Sequence, residues 1–513
     1  MLQKYSRYFY IVNIIFLAVV SLSLIFRDDY LLTGRPFTED AYYSFTVARN
    51  LALGNGFTVG NEGKTNGFQP LFTLIASVAY LFTNGDKFFS LRIILFIQWI
   101  IYILTAVLLG IITKNSIKNI TIFNDTDVNI LSITSYIYIS CISVFLIHLN
   151  GLETGLLLLL YTLLWYLYQK DFINNIKNLF IYSLLLGLLV LTRIDTVFFV
   201  ILFSLSQFFK SKALFKEKFI RFSIVSATSF LVSLPWWLYN YICFGSFIPT
   251  SGLAQQSWSI NYVRVREAYI ALSQNLMPLV YMGTATLEGV MSNIIRICLI
   301  ILSFFILFRI WKINRKEFAD NNNWQRTIQF VKLILISMLI LILYYTFSFY
   351  ATWFYFRYFA PLILISVFFI GMIFNYLIFK KPKLKIMMVI FLIPVSVSVY
   401  LLWQGKYPNE YYIHQFALVN DYVPRNEYVG AFQSGTLGYL YDNTINLDGK
   451  MNIDAIKYKN NLIEYVERKN IKWLCDWKWK IEDLINKKLD KENDKWIRID
   501  EKGKFLLVKK NEF

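Results

Sequence analysis

Residues 93–112 read IILFIQWIIYILTAVLLGII, twenty consecutive positions without a charge. At 1.5 Å per residue, a helix of that length covers roughly 30 Å, the thickness of a bilayer's hydrocarbon core. The pattern recurs on both sides. Ile11–Phe26, Leu299–Phe308, Leu333–Leu343 and Leu362–Phe379 are also nearly free of charge. Of 513 residues, 57% are hydrophobic and only 16% charged, too few charges for a soluble surface of this size. Mean hydropathy is +0.48. The sequence describes a polytopic, mainly α membrane protein. Its first apolar run follows Lys4 and Arg7 and carries no small-residue cleavage site, so it reads as an anchor.

A net charge of +18 would suggest nucleic acid in a soluble protein. Here the excess lies in loops between apolar runs, as the positive-inside rule requires, and no nucleic-acid partner is expected. Lys210, Lys212, Lys216, Lys218 and Arg221 form the clearest cytoplasmic cluster. Lys312, Arg315, Lys316 and Arg326 form another, and Lys380, Lys381, Lys383 and Lys385 a third. Threading the chain through these markers gives about eleven spans, with the N-terminus inside and the C-terminus outside. The first lies at 8–26, the third at 129–149 and the last at 386–403. Phe72–Phe82 is too short to span and reads as an interfacial helix within the first outer loop, residues 27–89.

After residue 404 the texture changes: apolar runs shorten and charges become dense. Residues 405–513 read as an extracytoplasmic α/β domain beside a membrane body of residues 1–404. Strands are expected at Val429–Phe432 and Thr444–Leu447, and a helix at Leu462–Arg468. A hairpin is expected from Trp496–Ile499 to Phe505–Val508.

The charged residues that fall outside are the candidates for chemistry. Glu39 and Asp40 open an amphipathic helix whose Tyr42, Phe45, Ala48 and Leu51 share one face. Locally Asp40 suffices as an N-cap. Functionally, a carboxylate there is a general base for a sugar hydroxyl attacking an anomeric carbon. Glu153 also precedes a helix and suits its dipole. Arg193 and Asp195 make a local ion pair, or a functional one, because charges near membrane depth are costly. Arg357, within the aromatic run 354–359, is a snorkelling side chain or a cation that grips a lipid-linked phosphate.

Other chemistry finds little support. Two histidines, His148 and His414, make no metal or proton relay, and four scattered cysteines give no disulfide or metal framework. No Walker, Rossmann or nucleophile-elbow motif is present. The inner loops are too short to house a nucleotide-sugar site, so a sugar donor used outside would be lipid-linked.

Ten segments, taken in order, resemble bacterial GT-C-type glycosyltransferases, in particular the branch with the mycobacterial terminal arabinofuranosyltransferases. The first loop contributes Glu39-Asp40-Ala41-Tyr42-Tyr43-Ser44-Phe45, Ala48-Arg49-Asn50-Leu51, Gly54-Asn55-Gly56 and Thr65-Asn66-Gly67-Phe68-Gln69-Pro70-Leu71. Gly151-Leu152-Glu153-Thr154, Leu191-Thr192-Arg193-Ile194-Asp195, the 244–250 segment and Arg357-Tyr358-Phe359 follow. Gly435-Thr436-Leu437-Gly438-Tyr439 and Asn446-Leu447-Asp448-Gly449 complete the series. Each motif is weak alone; their ordered combination is fairly specific.

The resemblance implies a GT-C fold, a polyprenyl-phosphate sugar donor, a glycan or glycolipid acceptor, and inversion at the transferred sugar. It implies a catalytic acid in the first loop, Asp40 with Glu39 beside it; many relatives have two aspartates there. Donor or acceptor contacts map to Glu153, Arg193, Asp195, Arg357, Tyr358, Asn66, Gln69 and Arg49. Some members use a divalent cation, Mg or Mn, and Asp40, Glu39 and Glu153 are the set that could share one. A transporter or flippase of lipid-linked sugars is the alternative from another class. It would favour internal repeats and mid-membrane charges. A non-catalytic scaffold on the same fold is the third reading.

Overall fold

The computed structural model describes residues 2–60, 63–209, 214–280, 287–380, 410–485 and 495–511. The body is helical: α1 (Leu2–Leu22), α2 (Asp29–Gly34), α3 (Glu39–Ala52), α4 (Pro70–Phe82), α5 (Lys87–Ile117), α6 (Asp127–Ser140) and α7 (Ile142–Leu149). There follow α8 (Thr154–Gln169), α9 (Ile176–Thr192), α10 (Val197–Phe208), α11 (Phe215–Phe244), α12 (Thr250–Gln255) and α13 (Tyr262–Leu276). The body closes with α14 (Leu287–Ile313), α15 (Arg315–Asp320), α16 (Asn322–Ser348), α17 (Tyr355–Tyr358) and α18 (Pro361–Lys380).

Among the described residues, four helices are long and apolar enough to cross a bilayer: α5, α11, α14 from Met291, and α16. The bent pair α7–α8, kinked by 109°, and the Thr352–Tyr358 turn with α18, kinked by 53°, bring the number to six if each is one span. Ile11–Phe26, α4, α9 and Ile194–Phe208 are apolar but shorter. This is fewer than the roughly eleven spans expected from charge alternation. Part of the difference is physical. The expected 129–149 span is broken at Cys141 into α6 and α7, and short helices flank Arg193. The expected last span, 386–403, and the boundary at 404/405 lie outside the described residues.

The surface of α14 shows what the helices face. Met291, Ile294, Phe304, Phe305 and Phe308 are all more than half or nearly half exposed, a stripe that lipid accommodates and water does not. Inside, two buried amides tie helices together. Gln98 donates to the Leu152 carbonyl and accepts from the Gly151 amide. Gln169 donates to the Ile112 carbonyl, Ser116 and Thr327.

The C-terminal part carries a five-stranded sheet of order β2-β1-β3-β5-β4. Its strands are β1 (Val429–Ala431), β2 (Thr444–Asn446), β3 (Trp473–Trp477), β4 (Trp496–Lys502) and β5 (Phe505–Lys510). β1 runs parallel to β2 and β3; β5 pairs antiparallel with β3 and β4. Side chains alternate between faces with period two. Val429, Ala431, Trp473, Cys475, Phe505 and Leu507 pack with Leu418 and Val419 of α19 (Glu410–Tyr422). Leu474, Leu506 and Val508 pack on the other face, with Val466 and Ile481. The remaining helices are α20 (Gly435–Leu440), α21 (Ile453–Lys457), α22 (Leu462–Arg468) and α23 (Lys478–Leu484). The expected hairpin and the expected strands β1 and β2 are present. The central strand β3 had no sequence signal: Asp476 and the flanking Lys472, Lys478 and Lys480 mask a strand buried on both faces.

Candidate active site

Thr38 fixes the start of α3. Its amide donates to the Asn150 carbonyl at 3.0 Å, joining the first outer loop to the α7–α8 turn. That turn depends on Gly151, whose φ of +82° is left-handed; a Cβ there would run into Ala41, Phe45 and Phe37. The close approach sets Glu153 beside the first turn of α3. Successive residues on a helix point about 100° apart, so Glu39 and Asp40 cannot serve the same space.

Glu39 turns toward the outer domain. Its carboxylate accepts from the Gly435 amide at 2.6 Å, the Thr436 amide at 3.1 Å and the Thr436 hydroxyl at 2.5 Å. A Cβ at Gly435 would collide with the Glu39 carbonyl, so only glycine lets α20 seat this closely. Burial pushes the Glu39 carboxyl up to about 7, against the lowering effect of its three donors. Glu39 is absent from the cavity lining.

Asp40 faces a cavity of about 280 Å³. Its Oδ1 lies 3.5 Å from Lys450 Nζ, which also lies 3.4 Å from Asp448. Burial works against the Lys450 charge, but Asp40 and Asp448 outweigh it and hold the ammonium above its usual range. Both members of the Asp40–Lys450 pair remain about one-fifth exposed.

The deeper wall carries a closed network. Arg193 grips Asp195 with two bonds, at 3.2 and 2.5 Å, and stands 3.6 Å from Glu153. The Tyr345 hydroxyl donates to Asp195 at 2.7 Å. The Arg193 guanidinium lies 4.5 Å from the Tyr358 ring, which stacks on Tyr345 at 4.3 Å. Opposite this network is Arg357. It contacts the rings of Phe354 and Tyr358, forms no ion pair among the described residues, and has a buried Nε without a hydrogen-bond partner. It is a cation left open to a ligand.

The expected site residues therefore separate. Asp40, Glu153, Arg193, Asp195, Arg357, Tyr358 and Gln69 line one cavity. Asn66 lies behind it, donating to Asn240 and accepting from the Thr250 amide. Arg49 points away, donating to the Gly85 carbonyl at 2.9 Å. Lys450 and Tyr345 line the cavity and carried no sequence signal. Lys450 meets Asp40 across 410 positions, beyond the reach of any local pattern.

The cavity opens sideways. An apolar groove of about 660 Å³ between α10 and α11 shares Val197 and Trp237 with it. Val200, Ile201, Phe230 and Leu234 are among its lining residues, which contribute almost no polar surface.

Among the described residues no group of three His, Cys, Asp or Glu side chains is placed to hold a metal ion. The charges account for this. Lys450 sits against Asp40, Arg193 neutralises Glu153 and Asp195, and the Glu39 donor atoms are filled by α20. The set Asp40, Glu39 and Glu153 does not fit a shared divalent cation.

No protein-family model and no curated protein matches the chain. Solved structures do. It is similar to ArnT from Cupriavidus metallidurans bound to undecaprenyl phosphate, with 9% identity over 97% of each chain and a TM-score of 0.59. It is also similar to the oligosaccharyltransferase AglB from Archaeoglobus fulgidus in complex with an inhibitory peptide and a dolichol-phosphate. There the identity is 12%, the TM-score 0.50, and the coverage 92% of this chain and 69% of that one. The Archaeoglobus fulgidus enzyme complexed with Zn and sulfate aligns over the same shares at 13% identity and a TM-score of 0.50. At such identities the likeness is one of fold. It supports the fold expected from the sequence, a mainly helical body carrying a small sheet domain.

Proposed function

We propose that this chain is a membrane glycosyltransferase that moves a sugar from a polyprenyl-phosphate donor to a glycan or glycolipid acceptor on the extracytoplasmic face. One observation carries the reading. An accessible carboxylate, Asp40, and a guanidinium with no ion pair among the described residues, Arg357, line a single cavity that adjoins an apolar groove between α10 and α11. The similar structures, solved with undecaprenyl phosphate and with dolichol-phosphate, favour a lipid phosphate as the occupant.

In this reading the polyprenyl tail lies along α10 and α11, and the phosphate meets Arg357. The acceptor hydroxyl attacks the anomeric carbon from the face opposite the phosphate, so configuration inverts. As the new C–O bond forms, Asp40 takes the hydroxyl proton. The bond to the phosphate oxygen breaks, and Arg357 stabilises the charge gathering there. Lys450 holds the Asp40 carboxylate in position before the acceptor arrives. The Arg193–Asp195–Tyr345 network holds Tyr358, and through it the wall beneath Arg357. No step is routed through a metal, because Glu39 and Glu153, which would share one with Asp40, are already engaged by α20 and Arg193.

The test is sugar transfer by purified protein in detergent, offered a panel of synthetic polyprenyl-phosphate sugars, with and without EDTA. Wild type consuming one donor, and Asp40→Asn failing to, supports both the class and the base. Equal turnover by the two proteins removes Asp40 from the role. If no donor is consumed while lipid-linked sugars cross liposomes containing the protein, the flippase reading prevails.

A further inference from the structure

The parallel part of the outer sheet has β1 at its centre, between β2 and β3. The chain leaves β1 on one side to reach β2 and returns across it to reach β3. The loops at the carboxyl ends of β1 and β3 therefore diverge. In open α/β sheets that divergence is where ligands bind.

The three carboxyl ends are unusually furnished. β2 leads into Asp448-Gly449-Lys450, which reaches back to Asp40. β1 leads into Phe432, and β3 ends in Trp477 and continues through Trp479 and Lys480. Lys480 Nζ lies 4.9 Å from the centre of the Phe432 ring, 5.3 Å from Trp477 and 5.6 Å from Trp479. The two indoles are 6.0 Å apart and inclined by 34°. Trp479 is 60% exposed. Lys480 makes no ion pair among the described residues, and it lies within electrostatic reach of Asp448 and Lys450. The ledge therefore adjoins the cavity.

Its backing is rigid. Buried Asp476 accepts from the amides of Phe432, Gln433 and Trp477, each at 2.7 Å, and so ties the β1 and β3 loops together. Trp477 packs with one edge against the sheet's core, but the exposed Trp479 indole, beside an ammonium with no ion pair among the described residues, has no role in that core. The indole and the ammonium suit a ligand with apolar faces and hydroxylated edges.

We propose that Trp477, Trp479, Phe432 and Lys480 form the acceptor subsite, binding a saccharide. Sugar rings stack their C–H faces on the two indoles, hydroxyl groups accept from Lys480, and the glycan end is led along the 448–450 loop to Asp40. The assignment rests on the transferase reading for its purpose, but the binding itself does not require turnover.

The test screens the full-length protein in detergent on an oligosaccharide array, then titrates one hit by calorimetry. Wild type binds at least one oligosaccharide. Trp479→Ala, a change at an exposed position, weakens it at least tenfold, and Lys480→Gln weakens it severalfold. In transfer assays Trp479→Ala raises the acceptor KM by a similar factor, with kcat and the donor KM unchanged. If wild type binds no oligosaccharide more tightly than Trp479→Ala does, the ledge is not a saccharide site. Failure of the transferase reading shows differently, as glycan binding intact with Asp40→Asn indistinguishable from wild type in every turnover assay.

Discussion

Two carboxylates leave the first turn of α3 in different directions and meet opposite fates. Glu39 enters a dry joint in which three donors fill its oxygens and glycine permits backbone contact. Asp40 enters a cavity in which its nearest partner is a lysine 3.5 Å away, with both side chains partly open. A saturated buried charge is a fastener, because any ligand would have to displace bonds already made. A loosely paired charge beside open space retains capacity for a substrate. The same contrast separates the two arginines of the cavity. Arg193 is ion-paired with Asp195 and Glu153, and Arg357 forms no ion pair among the described residues.

The sharpest way to break the comparison is to neutralise each acid. Asp40→Asn should lower kcat about 10²- to 10⁴-fold, the usual worth of a general base, and leave thermal stability nearly unchanged. Glu39→Gln should do the reverse. Loss of activity and stability together in both variants would erase the distinction. Next in size is Arg357→Ala, expected to cost about 10²-fold in kcat through the leaving phosphate. Arg193→Ala should instead unfold the wall, leaving Asp195 and Glu153 unpaired at an expense of about 3–5 kcal/mol. Chemical denaturation of the two proteins separates these outcomes.

The joint can also be probed by pH. The folded-state pKa of Glu39, about 7, lies above its ordinary 4.5, so the folded chain keeps this proton to higher pH than the unfolded chain does. Its contribution is full below about 4.5, falls as pH rises through about 7, and is flat beyond. Asp476, pushed up to about 6 by burial, adds a loss of the same sign at slightly lower pH. Thermal melts between pH 5 and pH 8 should therefore decline, and Glu39→Gln should flatten the decline. A wild-type melting point that rises over this range would show that the donors to Glu39 outweigh its burial.

Much of this was legible in the sequence, for reasons that differ by scale. Apolar runs reveal helices because burial in lipid is a property of the run itself, as in residues 93–112. The chemistry-bearing acids were legible as a pair, Glu39-Asp40, but not as a division of labour. That depends on which helix face meets α20, a partner almost 400 residues away. Asn66 and Arg49 belong to the same motifs as the cavity residues, yet they hold Thr250 and Gly85 in place. Being close to a site in sequence does not make a residue part of it. β3 was hidden by the lysines that flank it, and with it the tryptophans at its end.

Lys450 provides the finest discrimination, because it belongs to both regions. Its backbone carbonyl accepts from the Thr250 hydroxyl at 2.9 Å, a structural bond, while its ammonium lies between Asp40 and Asp448. A partly exposed ion pair of this kind is worth about 1 kcal/mol at most, so its removal cannot rival loss of the base. Lys450→Met should lower kcat about three- to tenfold. Lys450→Arg, which keeps the charge and loses only geometry, should recover most of that. The backbone bond survives both changes, so neither variant should shift the melting point by more than a few degrees. If Met and Arg variants lose activity equally, the charge on Lys450 does not serve Asp40. The lysine then belongs with Glu39 among the fasteners of the outer domain.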